Sequence, residues 1–323
     1  MALLDVEDLS MYYRISAGWV RAVDGLNFKI DRGRALGIVG ESGCGKTSLA
    51  ITLMKILPRN ARIFGGKIVF DGKDLVPMNE DSLRKNVRWK GMSLIFQGAM
   101  NALNPVIRIE DQIVEAIRIH EPKATKAEAK ERIGKLFELV GVDPSRASNY
   151  PHEFSGGMKQ RACIAMALAC NPKMLISDEP STALDVIIAA QILRLLRELK
   201  EKLNLAMIVI SHDLSIVTET CDDAAIVYAG SVVECGDINA IFKEPFHPYT
   251  QGLLSAFPSI RAQKTRLISI PGSPPDLTDP PRGCRFNPRC KYAMEICTRT
   301  RPALTEASKG HFAACYLYPN RKG

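Results

Sequence analysis

Residues 35–47 read ALGIVGESGCGKT, and few short stretches constrain a fold more tightly. The unbroken apolar run ALGIVG suits a strand buried on both faces. A helical pattern begins at Lys46, and the loop between, Gly40 to Thr47, fits G-x-x-x-x-G-K-[ST] in the context that pattern requires. Gly40, Gly43 and Gly45 let the backbone fold tightly and aim its N–H groups inward at phosphate oxygens, with Glu41, Ser42 and Cys44 filling the turn. Lys46 would neutralise the outer phosphates, the Thr47 hydroxyl would hold Mg²⁺, and Ser48 follows within the same turn. The positive end of the helix adds to the attraction. A strand–loop–helix unit of this kind demands further strands and helices to bury it.

Those are present. From Leu3 to about Lys29 apolar and polar residues alternate, and VRAVDGLNFKI turns Val23, Leu26, Phe28 and Ile30 to one side, which predicts an antiparallel sheet. Between about Ile109 and Ala169 lie three helical patterns, IEDQIVEAIRI, KAEAKERIGKLFELVGV and GGMKQRACIAMALAC. Short apolar runs then alternate with helices: MLIS, a helix over Val186 to Leu203, AMIVIS, a helix from Leu214, and AAIVY. Such alternation predicts a parallel sheet with helices on both faces. Beyond about Ala256 the texture changes to PGSPPDLTDPPRG, a stiff linker ahead of a cysteine-rich tail.

Composition excludes some functions. The net charge is +8, but from Cys284 onward eight Lys and Arg face two Glu, leaving only +2 for everything before. That balance does not support a basic groove for nucleic acid on the main body. The longest uncharged apolar stretch, Ala162 to Cys170, is about half of what a membrane span needs. The opening MALLDVEDLS lacks a basic flank before an apolar run, so no secretory signal is expected, and a reducing compartment disfavours disulfides.

MLISDEP, Met174 to Pro180, is an apolar strand ending in two carboxylates. Asp178 would reach a metal through water, and Glu179, pointing the other way, would polarise an attacking water. FSGGMKQR, Phe154 to Arg161, opens another helix on a serine and two glycines, a second anion-binding terminus. One terminus suffices for one nucleotide, so the second is expected to serve the nucleotide of another subunit.

In order and spacing, the phosphate loop, Gln97 in LIFQG, FSGGM, LISDEP, STALD at Ser181 to Asp185 and His212 in ISHD resemble the nucleotide-binding subunit of an ATP-binding-cassette (ABC) transporter. The resemblance implies an α/β fold with a P-loop NTPase (RecA-like) core, an antiparallel β subdomain, a helical subdomain and a cysteine-rich C-terminal extension. It implies an ATP-binding domain over 1–256, with the helical subdomain at roughly 98–170, and the extension over 257–323. Glu179 and His212 would be catalytic, His212 contacting the γ-phosphate. Gln97 would ligate Mg²⁺ together with Thr47 and link the γ-phosphate to the membrane subunit. Ser155, Gly156, Gly157 and Met158 would face the ATP of the partner subunit, and Asp185 would communicate across the dimer. Tyr13, with Tyr12 as its rival, would stack on adenine.

The family pattern L-S-G-G-Q is altered here, with Phe154 for Leu and Met158 for Gln, and methionine cannot replace the hydrogen bonds of an amide. FQGAMNALNPV, FSGGMKQRACIAMALA, HPYTQGLLSAFPS and the tail PGSPPDL…GCRFNPRC together resemble the oligopeptide/dipeptide permease subfamily. The M-type signature resembles the first of its two different ATPase subunits. This implies an importer ATPase at the cytoplasmic face of the membrane, in a heterodimer with a second ATPase subunit. Two membrane-spanning permease subunits and, indirectly, an extracytoplasmic solute-binding protein complete the expected partners, with no nucleic acid. Peptides are the expected cargo, with oligosaccharides or nickel as alternatives moved by relatives. A soluble ABC-type ATPase acting on nucleic acid or ribosomes is the rival of another class. It is disfavoured because only 57 residues separate Gln97 from Ser155, with no sustained heptads, and there is one cassette.

Two cysteine questions remain open at this level. Cys44 lies at a helix N-terminus beside Lys46, which predicts a stabilised, reactive thiolate, unless it is merely a small residue in place of serine. Cys284, Cys290, Cys297 and Cys315 crowd into the tail at spacings that match neither zinc fingers nor ferredoxin runs. Their density suggests metal ligation, and the spacing does not choose the metal. The subfamily resemblance implies a [4Fe–4S] cluster held by these four, with Zn²⁺ as the alternative.

Overall fold

The computed structural model describes residues 2–255 and 270–318. Strands β1 (Leu4–Ile15), β2 (Gly18–Ile30) and β3 (Ala35–Val39) precede helix α1 (Lys46–Leu53), which is followed by β4 (Ala61–Phe70) and β5 (Lys73–Asp74). Next come α2 (Glu80–Asn86), β6 (Met92–Ile95), α3 (Ile109–His120), α4 (Lys126–Leu139), α5 (Gly156–Leu168), β7 (Met174–Asp178), α6 (Val186–Leu203) and β8 (Ala206–Ser211). The chain continues through α7 (Leu214–Thr220), β9 (Asp223–Tyr228), β10 (Ser231–Asp237), α8 (Ile238–Lys243) and α9 (Pro248–Ser255). Its last part holds α10 (Glu295–Arg299), β11 (Thr305–Ser308) and β12 (His311–Ala313). Among the described residues no helix is long and apolar enough to cross a membrane.

Two compact units result, one built chiefly on Pro77–Ser211 and the other on Leu4–Lys29, Leu36–Val76 and the described residues from His212 on. In the first, β6, β7 and β8 pair in parallel, with Met92 opposite Met174 and Met174 opposite Ala206. Strands β7 and β8 are buried along their whole length, as expected where helices cover both faces of a parallel sheet. The amphipathic α3 buries Ile109, Ile113, Val114 and Ile117, and α4 buries Ala129, Ile133, Leu136 and Phe137. Helix α4 starts where Thr125 and Glu128 form a reciprocal capping box.

The second unit contains an antiparallel sheet in the order β2-β1-β4-β5. Val23, Leu26, Phe28 and Ile30 are buried, as the alternation predicts. Strand β3 pairs in parallel with β9, from Leu36–Asp223 to Val39–Ile226. The chain then reverses: Ala229 and Gly230, both with positive φ, form the tight turn that sends β10 back antiparallel to β9. Strand β12 pairs antiparallel with β10, and β11 with β12. The pairing of β12 with β10 spans about eighty residues and leaves no local period, so the sequence reading, which stopped at AAIVY, did not extend to it. The domain boundary expected at 256/257 lies outside the described residues. From Ile270 to Tyr318 the chain belongs to the unit that carries the glycine loop.

A buried carboxylate organises the start of α9. Glu234, fully buried on β10, accepts the backbone N–H groups of Phe246 and His247 at 2.7 and 2.9 Å, and His311 Nε2 lies 2.7 Å from its Oε1. Burial pushes His247 down to about 4, and its neutral ring accepts the N–H of Tyr249 through Nδ1. Glu234→Ala should therefore destabilise the full chain by about 3 kcal/mol, because it strands two buried N–H donors and a buried imidazole. Urea unfolding of the variant within about 0.5 kcal/mol of wild type would contradict this role for Glu234.

Candidate active site

The glycine loop is held by sterics as much as by hydrogen bonds. A Cβ on Gly40 would sit 2.1 Å from the carbonyl oxygen of Val227, and one on Gly45 would sit 2.0 Å from that of Ala22. Gly43 and Gly45 also have φ of 77° and 102°, a region that costs other residues free energy. Only this composition lets β2 and β9 press on the loop. Inside it, Lys46 Nζ donates to the carbonyls of Gly40 and Glu41 at 2.8 and 2.9 Å, so the ammonium already lies at the centre of the turn. Thr47 is exposed on the first turn of α1, its hydroxyl open to a hard cation. Ser42 and Gly43 are exposed and Ser48 half-buried.

Tyr13 and Tyr12 separate cleanly. Tyr13 donates its hydroxyl to Ser48 Oγ at 3.1 Å, next to Thr47. Tyr12 instead donates to Asp24 at 2.6 Å and stacks on Phe64 at 4.6 Å between centroids. Of the two, Tyr13 is the one beside the phosphate loop.

In the other unit, Asp178 ends β7 almost wholly buried. Glu179 follows with φ of 48°, and this left-handed turn redirects its side chain. Its Oε2 accepts from Gln97 Nε2 and from Thr182 Oγ1, both at 2.9 Å, and its backbone N–H donates to Ile210. Gln97 and Glu179, 82 positions apart, are thus joined directly. Ser155 caps α5 by accepting from the Met158 N–H, and Ser155 and Gly156 are exposed there. A Cβ on Gly157 would meet the Ile188 side chain at 2.7 Å, so a side chain there requires Ile188 to shift. Asp185 caps α6 by accepting from the N–H groups of Ile187 and Ile188, a structural duty that favours a short polar side chain there. In the unit of the glycine loop, His212 is exposed, and Asp213 beside it caps α7.

Cys284, Cys290, Cys297 and Cys315 all line one small cavity together with His247, Phe286 and Tyr292. The chain winds around it in tight turns, with Cys284 N–H donating to Cys297 O at 2.8 Å. Gly283 permits this, because a Cβ there would lie 2.1 Å from the same carbonyl. Burial raises the thiols of Cys284, Cys290 and Cys315, the last to about 11, and neighbouring cysteines add to the effect. Among the described residues no three His, Cys, Asp or Glu side chains converge on a single-ion site.

Of the two readings of Cys44, burial supports the small residue in place of serine rather than the reactive thiolate. The residue is 2% exposed, and burial raises its thiol by more than Lys46, 3.8 Å away, lowers it. Position at a helix N-terminus was visible in the sequence, and desolvation was not. Sequence reading also missed Arg289, Tyr249 and Glu234. Tyr249 and Arg289 lie within the subfamily motifs HPYTQGLLSAFPS and GCRFNPRC, which gave no sign of what either side chain touches, and no motif marks Glu234.

Fold and loop together define a P-loop nucleotide-binding protein. A family model described as ABC transporter matches residues 23–182, and one described as oligopeptide/dipeptide transporter, C-terminal region, matches 233–297. The oligopeptide transport ATP-binding proteins OppD of Bacillus subtilis and of Escherichia coli are both 46% identical, each over 98% of this chain and over 88% and 93% of their own. The dipeptide transport ATP-binding protein DppD of Escherichia coli is 44% identical over 99% of this chain and 97% of its own. Among solved structures, cbiO1 of Clostridium perfringens, described as part of an ABC transporter complex, superposes with a TM-score of 0.64 at 29% identity, covering 75% of this chain and 91% of its own. A dimeric ATP-binding cassette bound to ADP and phosphate shares the fold at TM-score 0.64 and 22% identity, over 73% of this chain and 98% of its own. The chain belongs to the ABC transporter family, in its branch of oligopeptide/dipeptide transport ATP-binding proteins, and is an ATPase subunit.

With its thiol protonated and covered, Cys44 should react with iodoacetamide at neutral pH about tenfold or more slowly than an exposed cysteine. Cys44→Ser should keep most of the ATP turnover. Mass spectrometry of the native chain checks the first point, and rapid labelling at Cys44 would reinstate the thiolate.

Proposed function

We propose that this chain hydrolyses ATP to power import of oligopeptides or dipeptides, as one of two unequal ATPase subunits. Its site would lie at the cytoplasmic face of the membrane, against two membrane-spanning permease subunits loaded by an extracytoplasmic binding protein. The observation that carries the hydrolytic part is the Gln97–Glu179 hydrogen bond. It ties the glutamine that the family resemblance links to the membrane subunit to the carboxylate that would polarise water. The peptide cargo rests on the relatives named for peptide transport, whose similarity runs through the C-terminal region as well as the cassette.

Backbone N–H groups of Gly43 to Thr47 and the Lys46 ammonium would take the phosphates, exchanging loop carbonyls for phosphate oxygens. Tyr13 would stack on the base. Mg²⁺, held by the Thr47 hydroxyl and Gln97 with Asp178 through water, would supply charge neutralisation between the outer phosphates. Glu179 would accept the proton of the attacking water, and exposed His212 would steady the γ-phosphate. Ser155, Gly156, Gly157 and Met158 would complete the site of the partner cassette, and Asp185 would report across that interface. Val186 and Ile187, 85% and 70% exposed directly after Asp185, give α6 the apolar start that a partner cassette would cover. Phe96, Val106 and Ile107, exposed on either side of Gln97 in sequence, offer a comparable surface to a helix of the permease.

For the tail we propose a [4Fe–4S] cluster on Cys284, Cys290, Cys297 and Cys315. The donor set fits: four thiols share one cavity, and burial, with Cys284, Cys290 and Cys297 beside it, holds the Cys315 thiol protonated until a cationic core is present. Tetrahedral zinc would need four sulfurs about 3.8 Å apart around one point. When bound, the cluster would crosslink the tail.

Glu179→Gln, assembled with its partner subunits, should bind ATP but turn it over about a hundredfold or more slowly. Near-normal hydrolysis would remove Glu179 from its role. Anaerobically purified chain should be brown and contain about four iron and four sulfide. Colourless chain with stoichiometric zinc, or with all four thiols freely alkylated, would refute the cluster.

A further inference from the structure

We propose that Arg289, in the cysteine-rich tail, is a positioning residue of the nucleotide site and acts through Glu41 of the phosphate loop. The proposal rests on the reading of Gly40–Thr47 as the ATP-phosphate loop. Arg289 stands directly before Cys290, and its side chain is only 5% exposed. Its guanidinium forks onto the Glu41 carboxylate, with Nη1 to Oε2 at 2.6 Å and Nη2 to Oε1 at 3.0 Å. The remaining donors are also used. Nε donates to Pro271 O at 2.8 Å, Nη1 to Tyr228 Oη at 3.3 Å and Nη2 to Ile270 O at 3.4 Å. All five N–H groups of the guanidinium therefore have acceptors, which fixes its plane and position.

Glu41 is held at three of its groups. Its carboxylate lies in the fork, its N–H donates to Tyr249 Oη at 2.9 Å, and its carbonyl accepts from Lys46 Nζ. The second residue of the loop thus cannot pivot, and the turn that follows, with Cys44 N–H on Glu41 O, starts from a fixed point. Charge gives the pair a second purpose. A carboxylate one residue inside a loop that binds a polyphosphate anion is repulsive unless neutralised, and Glu41 is only half-buried. Arg289 supplies that neutralisation without competing for the phosphates, because its donors are saturated. A lysine there would keep the charge but not the two parallel hydrogen bonds.

Arg289 touches no reacting atom, so its removal should weaken nucleotide binding and leave the chemical step almost alone. Mg-ADP is titrated calorimetrically into the full-length chain, and ATP turnover is measured with the partner subunits present. Arg289→Ala should weaken Mg-ADP binding tenfold or more and raise KM for ATP to match, with kcat within about threefold. Glu41→Gln removes the repulsive charge, so in that background Arg289→Ala should cost less than threefold. Arg289→Lys should recover part of the loss in the wild-type background and change nothing in Glu41→Gln. Should Arg289→Ala fail to fold, because the segment at Ile270 and Pro271 loses its anchor, the same cycle run with Arg289→Lys decides the matter. An equal loss in both backgrounds, or a loss below threefold in wild type, would overturn the proposal and leave the ATPase assignment standing. Wild-type chain that binds no Mg-ADP, like a Lys46→Ala control, would overturn both.

Discussion

A loop that surrounds phosphate with backbone N–H groups must let neighbouring strands approach to distances that no side chain tolerates. Here that requirement falls on Gly40 against the carbonyl of Val227 and on Gly45 against the carbonyl of Ala22. These contacts join the start of α1 to β2 and β9, segments roughly two hundred residues apart. A methyl group at either glycine would push backbone against backbone, where nothing flexible can yield. Much of the second unit can be understood as the scaffold that makes this approach possible: β3 and β9 buried and parallel, and the antiparallel sheet of β1, β2, β4 and β5 in the same unit.

Closeness also sets the chemistry of the loop. The space that admits a phosphate is lined by carbonyls when the Lys46 ammonium folds inward, so charge and acceptors are matched locally. The same enclosure keeps the Cys44 thiol neutral and packed near Gly40. Burial thus governs the Cys44 thiol, while two positions on the Lys46 ammonium finds the carbonyls of Gly40 and Glu41.

Much of this was legible in the sequence wherever a motif and a period coincided. The strand at Ala35–Val39, the helix from Lys46 and the helix over Val186–Leu203 were each announced twice, once by apolar spacing and once by a residue with a task. Asp185 and Asn204, the latter left-handed, close that last helix at its two ends. What could not be read was long-range and aperiodic. Arg289 and Glu41 are 248 positions apart and carry no shared pattern, and the strand pairing of β10 with β12 was hidden for the same reason. Desolvation was likewise invisible, which is why the two readings of Cys44 stayed open. Tyr12 and Tyr13 could not be ranked until Phe64 and Asp24 claimed the first and Ser48 the second. The four tail cysteines stood out by density alone, and their common cavity is a fact of the fold.

The pairing of β12 with β10 has a bearing on how the molecule behaves in a crowded cell. Strand β10, with Val232 and Val233 buried, would otherwise offer a row of unpaired backbone groups to any passing chain. Strand β12 covers part of that row, at Glu234 and Cys235, and β11 forms the outer border beyond it, only four residues long and with its register broken between Glu306 and Ser308. Short, irregular borders are poor templates for further strand addition. The C-terminal segment therefore occupies a strand edge as well as carrying the four thiols. A chain that stopped before Thr305 would expose a sticky border on the unit that carries the phosphate loop.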